Sequence, residues 1–268
     1  MMLLFTNQIL IYLIMKKKIV ILIFLIIIIV FSVKMLNEKC VCNKPYVTFT
    51  FDDGYEDIFT NALPIFKKYN VSATCYIITG LVGKEFENQK LMNWSHIKEL
   101  QENGFEIGSH TVNHLDLTKL NSSSIVKELS FSKETLIDHG FNVSSISIPY
   151  GKYNDKIEKI AKKYYTSVRP SIWGFNSLCD FDRYNLKSFW ITNSTSIETI
   201  KSLIDECQKN NYWLIFMLHL VREDKNSEYS ISPKDLEYII KYIKSKNIEI
   251  KTISEVIDLY NCSCYAQK

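Results

Sequence analysis

From residue 45 onward the chain alternates short β-branched or aromatic runs with longer stretches whose apolar positions recur at helical spacing. The runs predict strands at 46–51, 72–78, 106–109, 144–148, 166–169, 189–192, 213–219 and 249–252. The amphipathic stretches predict helices at 56–69, 95–103, 123–138, 154–163, 196–210, 233–246 and 254–260. Gly104 and Gly140 stand just past two of these stretches, where a residue free to turn left-handed ends a helix. Ser196 supplies a capping oxygen at the start of another. Strand–helix alternation sustained over about 215 residues predicts parallel strands covered by helices. Seven or eight such units close into a barrel more economically than they spread as an open sheet. One α/β domain of the (β/α) barrel kind is therefore expected over 45–260, with 261–268 as a tail.

Before residue 45 the pattern is different. Lys16, Lys17 and Lys18 precede an apolar run from Ile19 to Val33 that only Ser32 interrupts, and continuing to Leu36 gives eighteen residues. A membrane-spanning helix needs roughly 20 apolar residues, with a range of about 17 to 25. No small-x-small cleavage pattern follows, and no polar face marks the run as a buried helix. Residues 19–36 are expected to be an uncleaved transmembrane signal anchor, with 37–44 as a stalk. The lysines place 1–18 in the cytoplasm, which makes the chain a single-pass type II membrane protein with its barrel outside. Secretion after signal-peptide cleavage is the alternative, and Met15, directly before the lysines, is an alternative start.

Cysteine usage agrees with export. Cys40 with Cys42 and Cys262 with Cys264 bracket the expected barrel, and zinc-binding cysteines usually have about two to four residues between them. Disulfides joining the two ends are the expectation. The balance of 32 basic and 29 acidic residues gives a net charge of +3 with no basic stripe, which excludes nucleic acid as a partner. Hydrophobic usage of 47% excludes wholesale disorder. The 16 tyrosines suit a thick core or a sugar-facing cleft.

Four polar clusters end strand candidates. Asp52-Asp53-Gly54 follows 46–51, and Ser109-His110-Thr111-Val112-Asn113-His114 closes 106–109. Pro149-Tyr150-Gly151 follows 144–148, and Leu218-His219 ends 213–219. Taken singly they read as a turn, two exposed helical histidines, another turn and a core histidine. Histidines at i and i+4 also share one face of a helical turn, where both can reach one ion. In a parallel barrel all four clusters meet at one rim, which is where such folds build their sites. Three of the 5 histidines fall there.

Together with Trp94-Ser95-His96 and Gly104-Phe105-Glu106-Ile107-Gly108, these clusters resemble the polysaccharide deacetylases of the NodB-like, carbohydrate esterase 4 family over about residues 45–260. The resemblance implies a distorted (β/α) barrel, one divalent metal, most often zinc, and hydrolysis of N-acetyl groups on an amino-sugar polysaccharide. By that resemblance Asp53, His110 and His114 hold the metal, Asp52 is the general base and His219 the general acid. The Tyr150 backbone N–H helps hold the oxyanion, and Pro149 and Tyr150 flank the substrate. One departure stands out, because the family often has an arginine where this chain has Ser147. Arg169, at the end of the next strand, is expected to orient Asp52 instead, and Trp173 beside it is a candidate for stacking on a sugar. An O-acetyl esterase on a polysaccharide and a catalytically inactive glycan-binding barrel are the competing readings. The inactive barrel would lack a ligand or the base, and none is missing.

Overall fold

A computed structural model describes residues 15–18, 21–26, 44–223 and 227–265, the stretch 261–265 as backbone only. Its parallel strands are β1 (Tyr46–Phe51), β2 (Thr74–Ile77), β5 (Glu106–Ser109), β6 (Ser145–Ser147), β7 (Ser167–Arg169), β8 (Ile172–Trp173), β10 (Lys187–Trp190), β11 (Tyr212–Leu218) and β14 (Glu249–Ile250). Two short hairpin strands, β3 (Glu85–Phe86) and β4 (Gln89–Lys90), stand apart. So does the pair β12 (Leu220–Val221) and β13 (Ser230–Ile231), while β9 (Asn176–Ser177) runs antiparallel to β11. Helices α1 (Leu63–Tyr69), α2 (Trp94–Glu102), α3 (Ser122–Asp138), α4 (Asp155–Ala161), α5 (Ile197–Asn210), α6 (Pro233–Ser245) and α7 (Ile253–Tyr265) lie between or after the strands.

The strand order is β7-β6-β5-β2-β1-β11-β10-β8, every neighbour parallel. Val168 N–H donates to Arg183 O at 2.9 Å and Leu186 N–H to Val168 O at 3.1 Å, so the segment leading into β10 is stitched to β7. The sheet thus curls into a nearly closed barrel. Its centre is the β1–β11 pair, in register from Tyr46 opposite Trp213 to Phe51 opposite Leu218. The other edge of β1 is shared: Tyr46 and Val47 pair with β14, and Thr50 and Phe51 pair with β2.

Alternation along the strands sorts the two faces. Val47, Phe49 and Phe51 point outward into the main apolar cluster, where they meet Phe66 of α1 and Ile240 of α6. The intervening Thr48 and Thr50 point inward, as do Ser145, Ser147, Ser167 and Ser188, all buried. A second cluster plugs the floor: Tyr46, Trp213 and Ile215 pack on Ile253, Val256 and Ile257 of α7. Polar caps start the helices, with Asn93, Asn121, Asn154, Ser196 and Ser232 each accepting from a first-turn amide. The first expected helix differs from its prediction. It opens with a π-helical turn, Ile58–Ala62, in which Leu63 N–H reaches back to Ile58 O, and α1 starts only there. Pro64 has no N–H for the regular ladder, which favours such a break.

Residues 15–18 and 21–26 are helical, and no helix among the described residues is long and apolar enough to cross a membrane. The expected span at 19–36 falls largely outside those residues. Cys40, Cys42 and the side chains of Cys262 and Cys264 also lie outside them. Cys75 and Cys207 are buried free thiols, and Cys179 is an exposed one.

Candidate active site

The first two site residues come from the end of β1. Asp52 N–H donates to Leu218 O at 2.9 Å, extending the β1–β11 ladder by one residue. Asp53 then turns left-handed, φ 68°, with Gly54 at φ 80°. This reversal lets two neighbouring carboxylates face different partners. Asp52 enters the barrel mouth, and Asp53 faces the loop after β5.

That loop is not helical. Thr111 has φ 67° and His114 φ 55°, so the expected i, i+4 helical face does not occur. The two imidazoles converge through loop geometry instead, with ring centroids 4.8 Å apart. Asp53 Oδ1 lies 3.3 Å from His110 Nε2 and 3.4 Å from His114 Nε2. All three side chains are buried, and Asp53 Oδ1 makes no hydrogen bond. His110 Nδ1–H donates to Ser147 O at 2.8 Å, which leaves Nε2 as the free ligand atom.

These residues fit a divalent ion of the zinc type. A tetrahedral site with bonds of about 2.0–2.1 Å separates its ligand atoms by roughly 3.4 Å. The two measured separations match that edge, and one carboxylate with two imidazoles is a suitable N/O donor set. Burial pushes the Asp53 pKa up, but His110, His219 and His114 outweigh it and hold the group below its ordinary value. Burial, helped by the His110 charge, takes His114 down to about 4, so its ring is neutral at physiological pH. Burial alone would depress His110 too, yet Asp53 and Asp52 raise it above its ordinary value.

Asp52 has different company. Arg169 Nη2 lies 2.5 Å from both of its carboxylate oxygens and 2.6 Å from Ser147 Oγ, and Ser147 Oγ–H donates to Asp52 Oδ2 at 3.2 Å. Burial again pushes the pKa up, but Arg169, His110 and His219 bring it down to about 2. The guanidinium stacks over the Tyr76 ring at 5.4 Å. Gly108 makes room for that ring, because a Cβ there would lie 2.5 Å from it. The Ser147 hydroxyl thus bridges Arg169 to Asp52.

Asp52, Asp53, His110 and His114 line a cleft of about 380 Å³ together with Tyr55, Phe86, Glu87, Tyr150, His219 and Tyr229. Tyr150 is 57% exposed, has φ 57°, and its ring lies 4.7 Å from that of His114. The turn bonds there run from Gly151 N–H to Ile148 O and from Lys152 N–H to Pro149 O, so neither uses the Tyr150 amide. Pro149 is buried behind the lining. His219 also lines the cleft, with Tyr229 5.1 Å from its ring, and its Nδ1 has no hydrogen-bond partner. Trp173 is 51% exposed but packs edge-on against Phe189 and Trp190, outside the cleft lining.

Sequence reasoning missed the β3–β4 hairpin, whose Phe86 packs on His114 at 4.9 Å and whose Glu87 and Asn88 form a left-handed turn. Arg222 fastens it, donating to Asp57 at 2.8 and 2.9 Å and to Gln89 at 2.8 Å. The Asn88 turn signal was available, but two-residue strands leave no alternation to detect. Tyr229 was missed because nothing in its own sequence neighbourhood marks it.

The sequence profile of the polysaccharide deacetylases matches residues 41–168. Among solved structures, the deacetylase PplD of Streptococcus pyogenes is 30% identical, covers 58% of this chain and 68% of its own, and superposes with a TM-score of 0.53. The chain belongs to the polysaccharide deacetylase family. Another relative is the poly-beta-1,6-N-acetyl-D-glucosamine N-deacetylase of Staphylococcus aureus, 37% identical over 132 residues, which are 45% of each chain. The chain spans less than half the length of the curated relatives it matches. The Xyl-CE4 domain of a xylanase from a Trinervitermes trinervoides hindgut metagenome shares the fold over 81% of this chain and 91% of its own, with a TM-score of 0.58 and 21% identity. Arg169 and His219 lie beyond the profile match.

Proposed function

We propose that this chain is a zinc-dependent hydrolase that removes N-acetyl groups from an amino-sugar polysaccharide of the chitin, peptidoglycan or poly-N-acetylglucosamine kind. The observation that carries the reading is the pairing of two buried carboxylates with opposite partners. Asp53 faces two imidazole nitrogens at 3.3 and 3.4 Å, and Asp52 faces Arg169 at 2.5 Å. One is built to bind a cation, the other to keep a lone pair aimed into the cleft.

Asp53, His110 and His114 would hold the metal, whose chemistry when bound would be to polarise the acetamide carbonyl and acidify the attacking water. Asp52 stays ionised throughout the physiological range because Arg169 holds it near 2, and it takes the water proton. Arg169 and Ser147 fix the carboxylate's direction, so no orientation is lost on reaching the transition state. The Tyr150 amide, unused by its own turn, donates to the developing oxyanion. His219, also in the cleft lining, gives a proton to the departing amine, which is a poor leaving group without one. Tyr150 and Tyr229 present ring surface on either side of the cleft for a sugar. The apolar run 19–36 supports an anchored barrel on the outer side of a membrane, where such polymers lie.

The test is acetate release from poly-β-1,6-N-acetylglucosamine, chitin oligomers, peptidoglycan and acetylated xylan by protein stripped with chelator and then reloaded with zinc. Zinc-restored release from one of the N-acetylated polymers is expected. Release that survives chelation refutes the metal reading, and release from xylan alone makes the chain an O-acetyl esterase.

A further inference from the structure

The His110–His114 loop holds two residues in the left-handed region that are neither glycine nor asparagine, Thr111 and His114. Such a loop keeps its shape only when its surroundings over-determine it. Two clamps do so. On one side, Thr79 N–H donates to Thr111 O at 3.1 Å and Gly80 N–H to Val112 O at 2.9 Å. Gly80 has to be glycine, since a Cβ there would sit 2.6 Å from Val112 O. On the other side stands Glu128, a buried carboxylate of α3. Its Oε2 accepts from Val112 N–H at 3.0 Å and Asn113 N–H at 2.9 Å, and its Oε1 accepts from Asn113 Nδ2 at 2.7 Å. One helical turn on, Ser132 hydrogen-bonds Ser109 Oγ at 2.8 Å, and that same hydroxyl accepts from Thr111 N–H at 3.2 Å.

We infer that Glu128 is a positioning residue for the metal site, acting through the backbone of the loop rather than by contact with the ligands. A buried carboxylate is costly unless hydrogen-bonded. All three of these bonds come from neutral N–H groups of one five-residue loop that carries two of the three metal-facing side chains. Glu128 therefore fixes the angle at which His110 and His114 leave the backbone. The inference rests on the metal reading above.

Acceptor geometry, not charge, does the holding, and this separates two conservative variants. In Glu128→Gln one oxygen still accepts both backbone N–H groups, and the Asn113 amide can turn over to accept from the new side-chain NH2. Glu128→Asp keeps the charge but is one methylene too short. The measurement is the zinc dissociation constant of the full chain, by competition with a chromogenic chelator below the melting temperature, followed by kcat and KM at saturating zinc. Glu128→Gln should stay within about threefold of wild type, since at most one hydrogen bond is lost. Glu128→Asp should bind zinc roughly 10- to 100-fold more weakly, the range seen when outer partners of metal ligands are removed. At saturating zinc it should recover most of its kcat, which a merely destabilised fold would not explain. Asn113→Ala, on an exposed side chain, removes only one arm and should weaken zinc binding by about threefold to tenfold. Wild-type zinc affinity in both Glu128→Asp and Asn113→Ala overturns the inference. If Glu128→Asp does not fold, wild-type affinity in Asn113→Ala alone does so. A wild-type protein that takes up no zinc overturns the metal reading and the clamp together.

Discussion

At the floor of the barrel Trp213 is fully buried among Tyr46, Ile215 and the apolar face of α7, and its indole Nε1–H donates to Thr48 Oγ1 at 2.9 Å. At the rim, one strand length away, Asp52, Asp53, His110 and His114 are also buried, and Asp53, Thr111, His114 and Tyr150 all have left-handed backbone. At the floor, Tyr46, Trp213 and Ile215 lie in regular strands and pack apolar surface against α7. The rim violates several local preferences, and holds its shape through loops clamped from neighbouring elements. Stability and chemistry are thus concentrated at opposite ends of the same strands, so substitutions at the two ends should fail in different ways.

Removing a ligand should give the largest effect. His114→Ala should lose stoichiometric zinc and lower kcat/KM by at least about a thousandfold, with a melting temperature near wild type, as the ring leaves a site rather than a packed core. Full zinc occupancy in this variant would break the comparison at the rim. Replacing the base is nearly as severe: Asp52→Asn should cut kcat by about 10² to 10⁴ with zinc retained. At the floor, Trp213→Ala should cost about 3–5 kcal/mol by denaturant titration, while the fraction still folded turns over at close to the wild-type rate. A comparable loss of kcat per folded molecule would mean that the two ends are coupled.

Arg169→Met tests the join between them, since Arg169 is both buried inside the barrel and bound to the rim base. Breaking a buried ion pair costs about 3–5 kcal/mol, and a misdirected Asp52 should lower kcat with zinc still bound. Normal kcat would return Arg169 to a purely structural role. The smallest effect concerns acid. Asp52 is held near 2, below the roughly 3.9 of an unfolded chain, so its pairing stabilises the fold above that unfolded value. The contribution, on the order of 2 kcal/mol, is lost as pH falls through about 2. The stability gap between wild type and Asp52→Asn should therefore narrow between about pH 5 and 2. A constant gap would show that Asp52 gains nothing from Arg169.

The floor and the rim also differ in how far they could be read in advance. Long apolar runs such as Tyr46–Phe51 and Tyr212–Leu218 declare themselves by composition, and Glu106–Ser109 is found at its predicted bounds. Strands of two residues, such as Ile172–Trp173, exist only because a partner strand is there to pair with. At the rim, the residue types of the metal-facing triad were legible, but their route to convergence was not. The spacing of His110 and His114 pointed to a helical face, and the chain meets the same need with a strained loop. Arg169 and Asp52 are 117 positions apart, a meeting that no local pattern encodes. Glu128 left no trace at all, since its main partners are backbone amides that any residue would offer.

The β1–β11 register has a further consequence, in time rather than in space. The first strand of the barrel finds its central partner 167 positions later, from Tyr46 to Trp213, and the other edge of its first two residues is covered by β14, later still. At about 5–20 residues per second, on the order of ten seconds pass between the synthesis of β1 and that of β11. Throughout that interval a run of six apolar and hydroxyl residues lacks its long-range partner, and closing so large a loop is slow. The barrel is therefore committed to closing only after β11 and β14 have been made, and until then the nascent β1 is a segment that a holding chaperone would protect.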